Sequence, residues 1–163
     1  MLDVTEKNIL ILGGGKASAE KLRTLSQLEL NVTVISPEFD AEFQDKPWLN
    51  LIKRKYQKGD LRNFDLVYSG VNHKPTEMEI LSEANENKIP VNFVDNPGKS
   101  NFISASSLIC DSFTIFISTY GRAPGGAKKI RETIESSIDL GALDAEVGEY
   151  IRLRDEKKNA RSI

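Results

Sequence analysis

Residues 8 to 20 read Asn-Ile-Leu-Ile-Leu-Gly-Gly-Gly-Lys-Ala-Ser-Ala-Glu, and this stretch decides the fold class. A short apolar run enters three glycines and leaves through helix-forming residues, which predicts a strand, a tight turn and a helix start. Gly13 can adopt backbone angles closed to other residues, and Gly15 lets the main chain approach a phosphate. A helix that begins near Lys16 or Ala17 directs N–H groups at an anion. The pattern is typical of a turn that holds the pyrophosphate of a dinucleotide.

The rest of the first half alternates strand signals with helix signals. Short apolar or β-branched runs predict four further strands, at residues 32–35, 51–52, 66–69 and 91–94. Leucines at three-residue spacing from Leu22 to Leu28 predict a helix that reaches about Leu30, and Pro75 is predicted to open a second helix. This alternation is typical of a parallel sheet with crossover helices, so we expect an α/β, Rossmann-like fold. A plain strand–turn–helix junction in any α/β protein is the alternative explanation of the glycines.

The pattern changes after Gly98. Two β-rich segments, residues 102–109 and 113–118, flank a short polar turn, which predicts a hairpin rather than another strand–helix unit. A bend rich in glycine and proline follows. The next helix is predicted to have an apolar face, formed by Ala127, Ile130, Ile134 and Ile138. Gly141 is predicted to interrupt this helix, and a second helix is predicted from Leu143 to about Lys158.

Composition limits the kinds of protein that this chain can be. The 163 residues carry a net charge of −2 with 28% charged residues, without the basic excess typical of nucleic-acid binding, so we expect no nucleic-acid partner. No apolar run approaches the ~20 residues that span a bilayer, so we expect no membrane association. The single Cys110 cannot form an intramolecular disulfide and suits the cytoplasm, where we expect the protein to reside. One histidine and one cysteine argue against a zinc site, and we predict no metal.

Five blocks of sequence together resemble one known family. They read Ile9-Leu-Ile-Leu-Gly-Gly-Gly, Val32-Thr-Val-Ile-Ser-Pro-Glu38, Val91-Asn-Phe-Val-Asp95, Asn101-Phe-Ile-Ser104 and Ile115-Phe-Ile-Ser-Thr119. Their order and spacing cover most of residues 8–135, and the combination is far more specific than the glycine turn. The chain thereby resembles the precorrin-2 dehydrogenases of sirohaem synthesis, a module also found at the start of multifunctional sirohaem synthases. It departs from the family's usual Ser-x-Gly-Gly and Ser-Pro, since it has Ser118-Thr-Tyr-Gly121 and Ala123-Pro124 there.

The resemblance implies a bound dinucleotide. Its contacts fall on Lys16 and Ala17 at the helix start and on Pro37 and Glu38 after the second strand. An acidic residue roughly 20 positions after the first glycine usually binds the ribose hydroxyls, and Glu38 lies in that neighbourhood. No Arg or Lys is close to Glu38 in sequence, so we expect NAD rather than NADP as the cofactor. An exposed loop acid is the alternative interpretation of Glu38.

Further candidates follow the later strands. Asp95 lies directly after a predicted parallel strand, at the edge where ligands bind in open α/β sheets, and the family's proposed catalytic aspartate falls on this position. The alternative is a turn residue whose side chain bonds backbone amides ahead of Pro97. Asn72, after the fourth strand, is a further candidate for a hydrogen bond to the cofactor. His73 beside it is predicted to be a surface residue or a helix cap.

For the substrate side, the resemblance implies Ser118, Thr119 and Arg122. A guanidinium suits a tetrapyrrole rimmed by carboxylates. Cys110 is predicted to be a turn or core residue rather than a nucleophile, because its one possible histidine partner is distant and no motif supports the pair.

The resemblance implies NAD-dependent oxidation of precorrin-2 to sirohydrochlorin by a homodimer. We therefore expect an NAD-binding Rossmann domain at residues 1–97, a dimerisation and substrate region at residues 98–139, and a partial C-terminal helical segment at residues 140–163. Two alternatives stay open. One adds sirohydrochlorin ferrochelatase activity to the dehydrogenase, and the other is a non-catalytic domain that senses NAD.

Overall fold

The computed structural model describes residues 6–26 and 30–160, which fall into two compact units that divide between Ile103 and Ser104. Each unit has its own sheet. Within the described ranges, no helix is both long and apolar enough to cross a membrane. The division into three parts at residues 97 and 139 stays a prediction.

The first unit is a five-stranded parallel sheet with the strand order β3-β2-β1-β4-β5. Its strands are β1 (Asn8–Leu12), β2 (Asn31–Ile35), β3 (Leu49–Ile52), β4 (Leu66–Ser69) and β5 (Val91–Phe93). Helix α1 (Lys16–Leu25) follows β1, and helix α2 (Lys74–Asn87) follows β4. The sheet confirms the predicted Rossmann-like α/β fold. The predicted extension of α1 past Leu25 includes residues 27–29, Leu28 among them, which lie outside the described residues.

Alternate residues of the central strand β1 build two separate cores. Ile9 and Ile11 lie in one apolar cluster with Leu22 of α1, and Leu10 and Leu12 lie in the other with Ile80 of α2. Successive side chains of a strand point to opposite faces, so the two helices cover opposite faces of the sheet. A strand buried on both faces explains why the run before the glycines is apolar at every position from Ile9 onward.

Buried Glu83 of α2 fixes the long connection between β3 and β4. Its carboxylate accepts hydrogen bonds from the Tyr56 hydroxyl (2.5 Å), the Gly59 N–H (2.8 Å) and the Leu61 N–H (2.9 Å). Partial burial raises the pKa of the Tyr56 phenol, and the bond to Glu83 raises it further. The connection is therefore held by a satisfied polar cluster rather than by regular secondary structure.

The second unit begins with an antiparallel hairpin, β6 (Ser106–Ile109) and β7 (Thr114–Ile117). Helix α3 (Pro124–Ser137) follows, and Leu108, Ile117 and Ala127 form the buried centre of this unit. Helix α4 (Leu140–Ala160) is the last element, and no residue in it is buried. The hairpin and the two helices confirm the predicted order of elements.

The predicted break at Gly141 is wrong, because Gly141 lies inside α4. Helix α3 ends at Ser137, and the next residue, Ile138, is extended. The Asp139 carboxylate then accepts a hydrogen bond from the Ala142 N–H at 3.0 Å, as a helix-capping aspartate does. The cap begins α4 three residues before the predicted Leu143 and overrides the low helix propensity of the glycine.

Candidate functional site

The glycine turn, residues 13–15, joins β1 to α1 at the carboxyl edge of the sheet. Gly13 has φ +98°, and a Cβ atom there would lie 3.1 Å from the carbonyl oxygen of Gly70. Its N–H donates to the carbonyl oxygen of Ile35 at 2.9 Å. Both the backbone angle and the close approach of the chain after β4 therefore require glycine at position 13.

Gly14 holds the glycine turn against the chain after β2. A Cβ atom on Gly14 would overlap the carbonyl oxygen of Glu38, and the Asp40 N–H donates to the Gly14 carbonyl oxygen at 2.8 Å. These contacts bring exposed Pro37 and exposed Glu38 beside the turn. Sequence reasoning did not single out Gly14, although the glycine triplet contained it.

Gly15 begins α1 and faces open space. Among the described residues, no atom lies within 4 Å of the position that a Cβ would take there. The Gly15 carbonyl accepts the first helical hydrogen bond, from the Ala19 N–H at 3.0 Å, so the N–H groups of residues 16–18 precede that bond. Lys16 is exposed and Ala17 half-buried. These N–H groups make no intrahelical hydrogen bond and adjoin open space, so the start of α1 is suited to bind an anion such as a pyrophosphate.

The sheet order brings the predicted cofactor residues of the first unit to one edge. The chain segments after β1, β2 and β4 carry the glycine turn, Glu38 and exposed Asn72, and these three strands are parallel neighbours. Helices α1 and α2 leave β1 and β4 on opposite faces, which makes the space between these strand ends the topological switch point. Ligands of open α/β sheets bind at that point.

Asp95 lies two residues beyond the end of β5, at the same edge. It is exposed, and its carboxylate makes no hydrogen bond or ion pair within the described residues. The turn is closed instead by the Asn96 N–H, which donates to the carbonyl oxygen of Phe93 at 3.1 Å. The alternative interpretation of Asp95, a side chain bonded to the amides of its own turn, therefore does not describe this structure.

An ion pair fixes the turn after Asp95 to helix α2. Lys99 Nζ lies 2.6 Å from Glu77 Oε2, and the Glu77 side chain is only 11% exposed. Lys99 ends a short 3₁₀ helix, Pro97–Lys99, that begins two residues after Asp95. Sequence reasoning missed this pair, because 22 residues separate the two charges in the chain.

Residues 100–102 complete the outer edge of β5. Ser100 Oγ accepts from the Phe93 N–H at 2.9 Å, and Asn101 Oδ1 accepts from the Val91 N–H at 2.7 Å. The Asn92 side chain in turn donates to the Phe102 carbonyl oxygen at 3.0 Å. The block Asn101-Phe-Ile-Ser104 therefore has a structural role, because it provides hydrogen-bond partners for the edge of the strand that precedes Asp95.

The predicted substrate residues belong to the second unit, in the bend of residues 118–123. Ser118 Oγ accepts from the Tyr120 N–H at 3.1 Å. The Thr119 hydroxyl donates to the Ala123 carbonyl oxygen at 2.9 Å, and Thr119 Oγ1 accepts from the Ala123 N–H at 3.2 Å. Arg122 is exposed, and its guanidinium has no ion pair among the described residues. The two hydroxyls hold the bend, and the charged group extends from it.

The sequence predicts no catalytic role for His73 or Cys110, and the structure gives each of them a local environment that agrees with this. His73 is exposed at the N-cap position of α2, and its Nδ1 lies 3.0 Å from the Thr76 hydroxyl without a capping bond to the helix backbone. Desolvation raises the pKa of the Cys110 thiol, and the carboxylates of Asp144 and Asp111 raise it further. A thiol with a raised pKa is a poor nucleophile.

The glycine turn, the helix start and the switch point define a dinucleotide-binding protein of the Rossmann-like class. Comparison with known proteins gives the particular family: residues 1–106 match the model of a family described as putative NAD(P)-binding, and the chain belongs to that family. The match confirms the prediction of a nicotinamide dinucleotide as cofactor.

The relatives agree with the resemblance seen in the sequence. The chain is 30% identical over 149 residues to a siroheme synthase of Pseudoalteromonas translucida (strain TAC 125), covering 88% of this chain and 32% of that protein. It is 31% identical over 131 residues to a siroheme synthase of Ectopseudomonas mendocina (strain ymp), covering 80% and 28%. The chain thus spans about a third of the length of these curated relatives.

Among solved structures, the chain is similar to SirC, precorrin-2 dehydrogenase, with a TM-score of 0.65. The sequences are 24% identical, and the match covers 85% of this chain and 70% of that one. This likeness shows a shared fold. The relatives and the shared fold agree with the resemblance to sirohaem synthases and precorrin-2 dehydrogenases that the sequence predicts.

Proposed function

We propose that the protein is an NAD-dependent dehydrogenase that oxidises precorrin-2 to sirohydrochlorin. The observation that carries the proposal is the exposed Asp95 carboxylate, which has no partner among the described residues and lies at the sheet edge that also holds the glycine turn. The similarity to siroheme synthases and to the fold of SirC supports this choice of substrate. The oxidation removes two hydrogen atoms from the macrocycle, one with its electron pair and one as a proton.

The cofactor and the protein have separate tasks in this reaction. NAD⁺, when bound, supplies the oxidising power by accepting the electron pair with one hydrogen. The N–H groups at the start of α1 hold the pyrophosphate, and the Glu38 carboxylate accepts hydrogen bonds from ribose hydroxyls. Asp95 accepts the proton that the macrocycle loses, and its exposure leaves the carboxylate accessible to the substrate.

The Glu38 carboxylate after β2 favours NAD over NADP, because an acidic residue there binds ribose hydroxyls and offers no basic partner to a 2′-phosphate. Among the basic residues that follow the neighbouring strand β3, Arg54 is already engaged. Its guanidinium already binds the Asp60 carboxylate through two hydrogen bonds, at 2.6 and 2.8 Å. Desolvation would raise the pKa of Asp60, but the bonds from Arg54 and from the Gln57 N–H lower it, so the pair persists at neutral pH. We therefore expect NAD to bind more tightly than NADP in parallel titrations, and tighter NADP binding would contradict this.

We also propose that the bend of the second unit binds the substrate through Arg122. Arg122 presents a guanidinium without an ion-pair partner in the described part of the chain, which suits one of the carboxylates that rim the tetrapyrrole. Ser118 and Thr119 act indirectly, because their hydroxyls hold the bend that carries Arg122.

We also propose that the protein is a homodimer that pairs through its second unit. Large apolar side chains remain exposed there, with Phe116 at 55%, Ile130 at 47% and Ile138 at 45%. A two-stranded sheet is marginally stable alone, so cover from a second copy would stabilise it. Sedimentation should show twice the mass of one chain, and Phe116→Glu should shift it towards the monomer. A wild-type monomer at micromolar concentration would contradict the proposal.

A spectroscopic assay tests the dehydrogenase directly. The protein is incubated with precorrin-2 and NAD⁺, and the tetrapyrrole spectrum and the NADH absorbance are followed together. Equal amounts of sirohydrochlorin and NADH are expected. Binding of NAD⁺ without either change would favour the alternative, a domain that senses NAD, and would overturn the proposed activity.

A further inference from the structure

Ser18 carries an unsatisfied hydroxyl in the glycine-turn region. The residue is 1% exposed, and its Oγ is the one buried side-chain oxygen or nitrogen without a hydrogen-bond partner in the described part of the chain. Leaving a buried donor or acceptor unpaired is energetically costly. An apolar alanine would fit the same helix position without that cost, so the hydroxyl calls for an explanation.

The hydroxyl lies between two glycines of the cofactor edge. A Cβ atom on Gly70 would overlap Ser18 Oγ, and a Cβ on Gly13 would lie 3.4 Å from it. Gly13 follows β1 and Gly70 follows β4, so the oxygen lies at the topological switch point. Gly70 makes the room that the hydroxyl occupies.

The start of α1 independently points to the same place. Ser18 is the third residue of α1, and its N–H precedes the first helical hydrogen bond, which Ala19 donates to Gly15. A helix N-terminus favours an anion. The buried Ser18 hydroxyl is a further donor, and an acceptor oxygen of a ligand would give it a hydrogen-bond partner.

We propose that Ser18 is a positioning residue for the dinucleotide, whose hydroxyl acquires its missing partner when the pyrophosphate binds to the glycine turn. The partner is an acceptor oxygen, of the phosphate or of a water that the phosphate orders. This inference rests on one part of the proposed function, namely that the protein binds NAD, and does not require the dehydrogenase activity. Binding then removes the cost of the unpaired hydroxyl, which adds to the affinity.

Ser18→Ala tests the proposal through two measurements that do not need turnover. The melting temperature of the protein without ligand should stay equal or rise, because an unpaired buried hydroxyl is removed. The Kd for NAD and for ADP-ribose, from titration calorimetry, should rise about tenfold, as the loss of a hydrogen bond of about 1.4 kcal/mol predicts.

Ser26→Ala is the matched control at the other end of α1. The Ser26 hydroxyl is exposed and donates to the Arg23 carbonyl oxygen at 2.9 Å, so its loss should leave both Kd values unchanged. A Ser18→Ala protein with wild-type Kd values would overturn the proposal, whatever its melting temperature. A wild-type protein that binds no NAD would overturn the proposed function instead, and this inference with it.

A double variant separates hydrogen bonding from space filling. Gly70→Ala should destabilise the protein, because its Cβ overlaps Ser18 Oγ. Adding Ser18→Ala removes the overlap, since the two Cβ atoms would be 3.6 Å apart, an ordinary contact. We expect the double variant to regain stability but to bind NAD about tenfold more weakly than wild type. Recovery of both stability and affinity would show that the hydroxyl only fills space, which would overturn the proposal.

Discussion

Two of the turns that lead from a strand into a helix, the glycine turn and the bend after β7, use their polar groups in opposite ways. In the glycine turn, the N–H groups of residues 16–18 precede the first helical hydrogen bond, and the space beside Gly15 is open. In the bend after β7, the hydroxyls of Ser118 and Thr119 bond to the bend's own backbone. A turn whose N–H donors make no helical hydrogen bond is suited to bind an anion. A turn whose polar groups are hydrogen-bonded internally is suited to present another side chain, which here is Arg122.

Gly15→Val gives the largest expected effect and tests the glycine turn. The valine would enter the open space where we propose that the pyrophosphate binds, so NAD binding should be abolished. Stability should change little, because no atom of the described residues lies within 4 Å of the Cβ position and the φ of −92° suits valine. Titration calorimetry and thermal melting measure the two quantities.

Gly125→Val is the matched control for that variant. Gly125 lies near the start of α3 and also has no neighbour within 4 Å of its Cβ position. We expect unchanged NAD affinity, because this helix start is not part of the cofactor site. A folded Gly15→Val protein with normal NAD affinity would remove the distinction between the two turns.

Asp95→Asn should have the next largest effect, on turnover. Asparagine keeps the shape and loses the basicity, and general-base catalysis contributes about 10²–10⁴ in rate. Turnover should fall by about that factor, while NAD affinity and melting temperature stay close to wild type, because the carboxylate has no partner in the described structure. Asp155→Asn, on exposed α4, is the control with no expected effect. Near-normal turnover in Asp95→Asn would contradict the catalytic assignment.

Arg122→Ala should affect the substrate side alone. A charged hydrogen bond contributes about 1.5–3 kcal/mol, so the KM for precorrin-2 should rise by about tenfold or more, with NAD affinity unchanged. Arg122→Lys keeps the charge but not the planar fork, and should lose part of the effect. Equal KM values for wild type and Arg122→Ala would leave the bend as a structural element only.

The order of elements in the first unit was predictable because it rests on local signals. The apolar run from Ile9 and the glycines mark β1, the turn and α1, and short-range sequence determines each of them. The end of α3 was not predictable in the same way. Gly141 carried the stronger propensity signal, but a single capping bond from Asp139 decided where α4 begins.

The site was predictable to a smaller extent than the fold. Gly13 and Gly15 follow from a motif, and Asp95 follows from its place after a strand and from the family resemblance. The contacts that hold these residues join distant parts of the chain, such as Gly14 with Glu38 and Ser18 with Gly70. Such pairs depend on how closely two loops approach, which local sequence does not encode.

The turn that carries Asp95 combines a free reacting group with a fixed backbone. Among the variants considered, Lys99→Met should have the smallest effect on activity. The Asp95 carboxylate has no partner among the described residues, whereas the Lys99–Glu77 ion pair fixes the turn that carries it. Lys99→Met leaves the mostly buried Glu77 carboxylate unpaired. Because the Lys99 side chain is 34% exposed, we expect a loss of only about 1–2 kcal/mol in the free energy of unfolding by urea.

The turnover rate of Lys99→Met shows whether the Lys99–Glu77 ion pair only positions the turn or takes part in catalysis like Asp95. The looser turn should lower the turnover rate by about threefold, which is less than 1 kcal/mol in the barrier, and NAD affinity should stay unchanged. The double variant Glu77→Gln/Lys99→Met removes both charges and should recover most of the stability, because no unpaired carboxylate remains. If Lys99→Met lowered turnover as much as Asp95→Asn does, the ion pair would belong to the catalytic machinery, and the division between a free reacting group and a fixed frame would not hold for this turn.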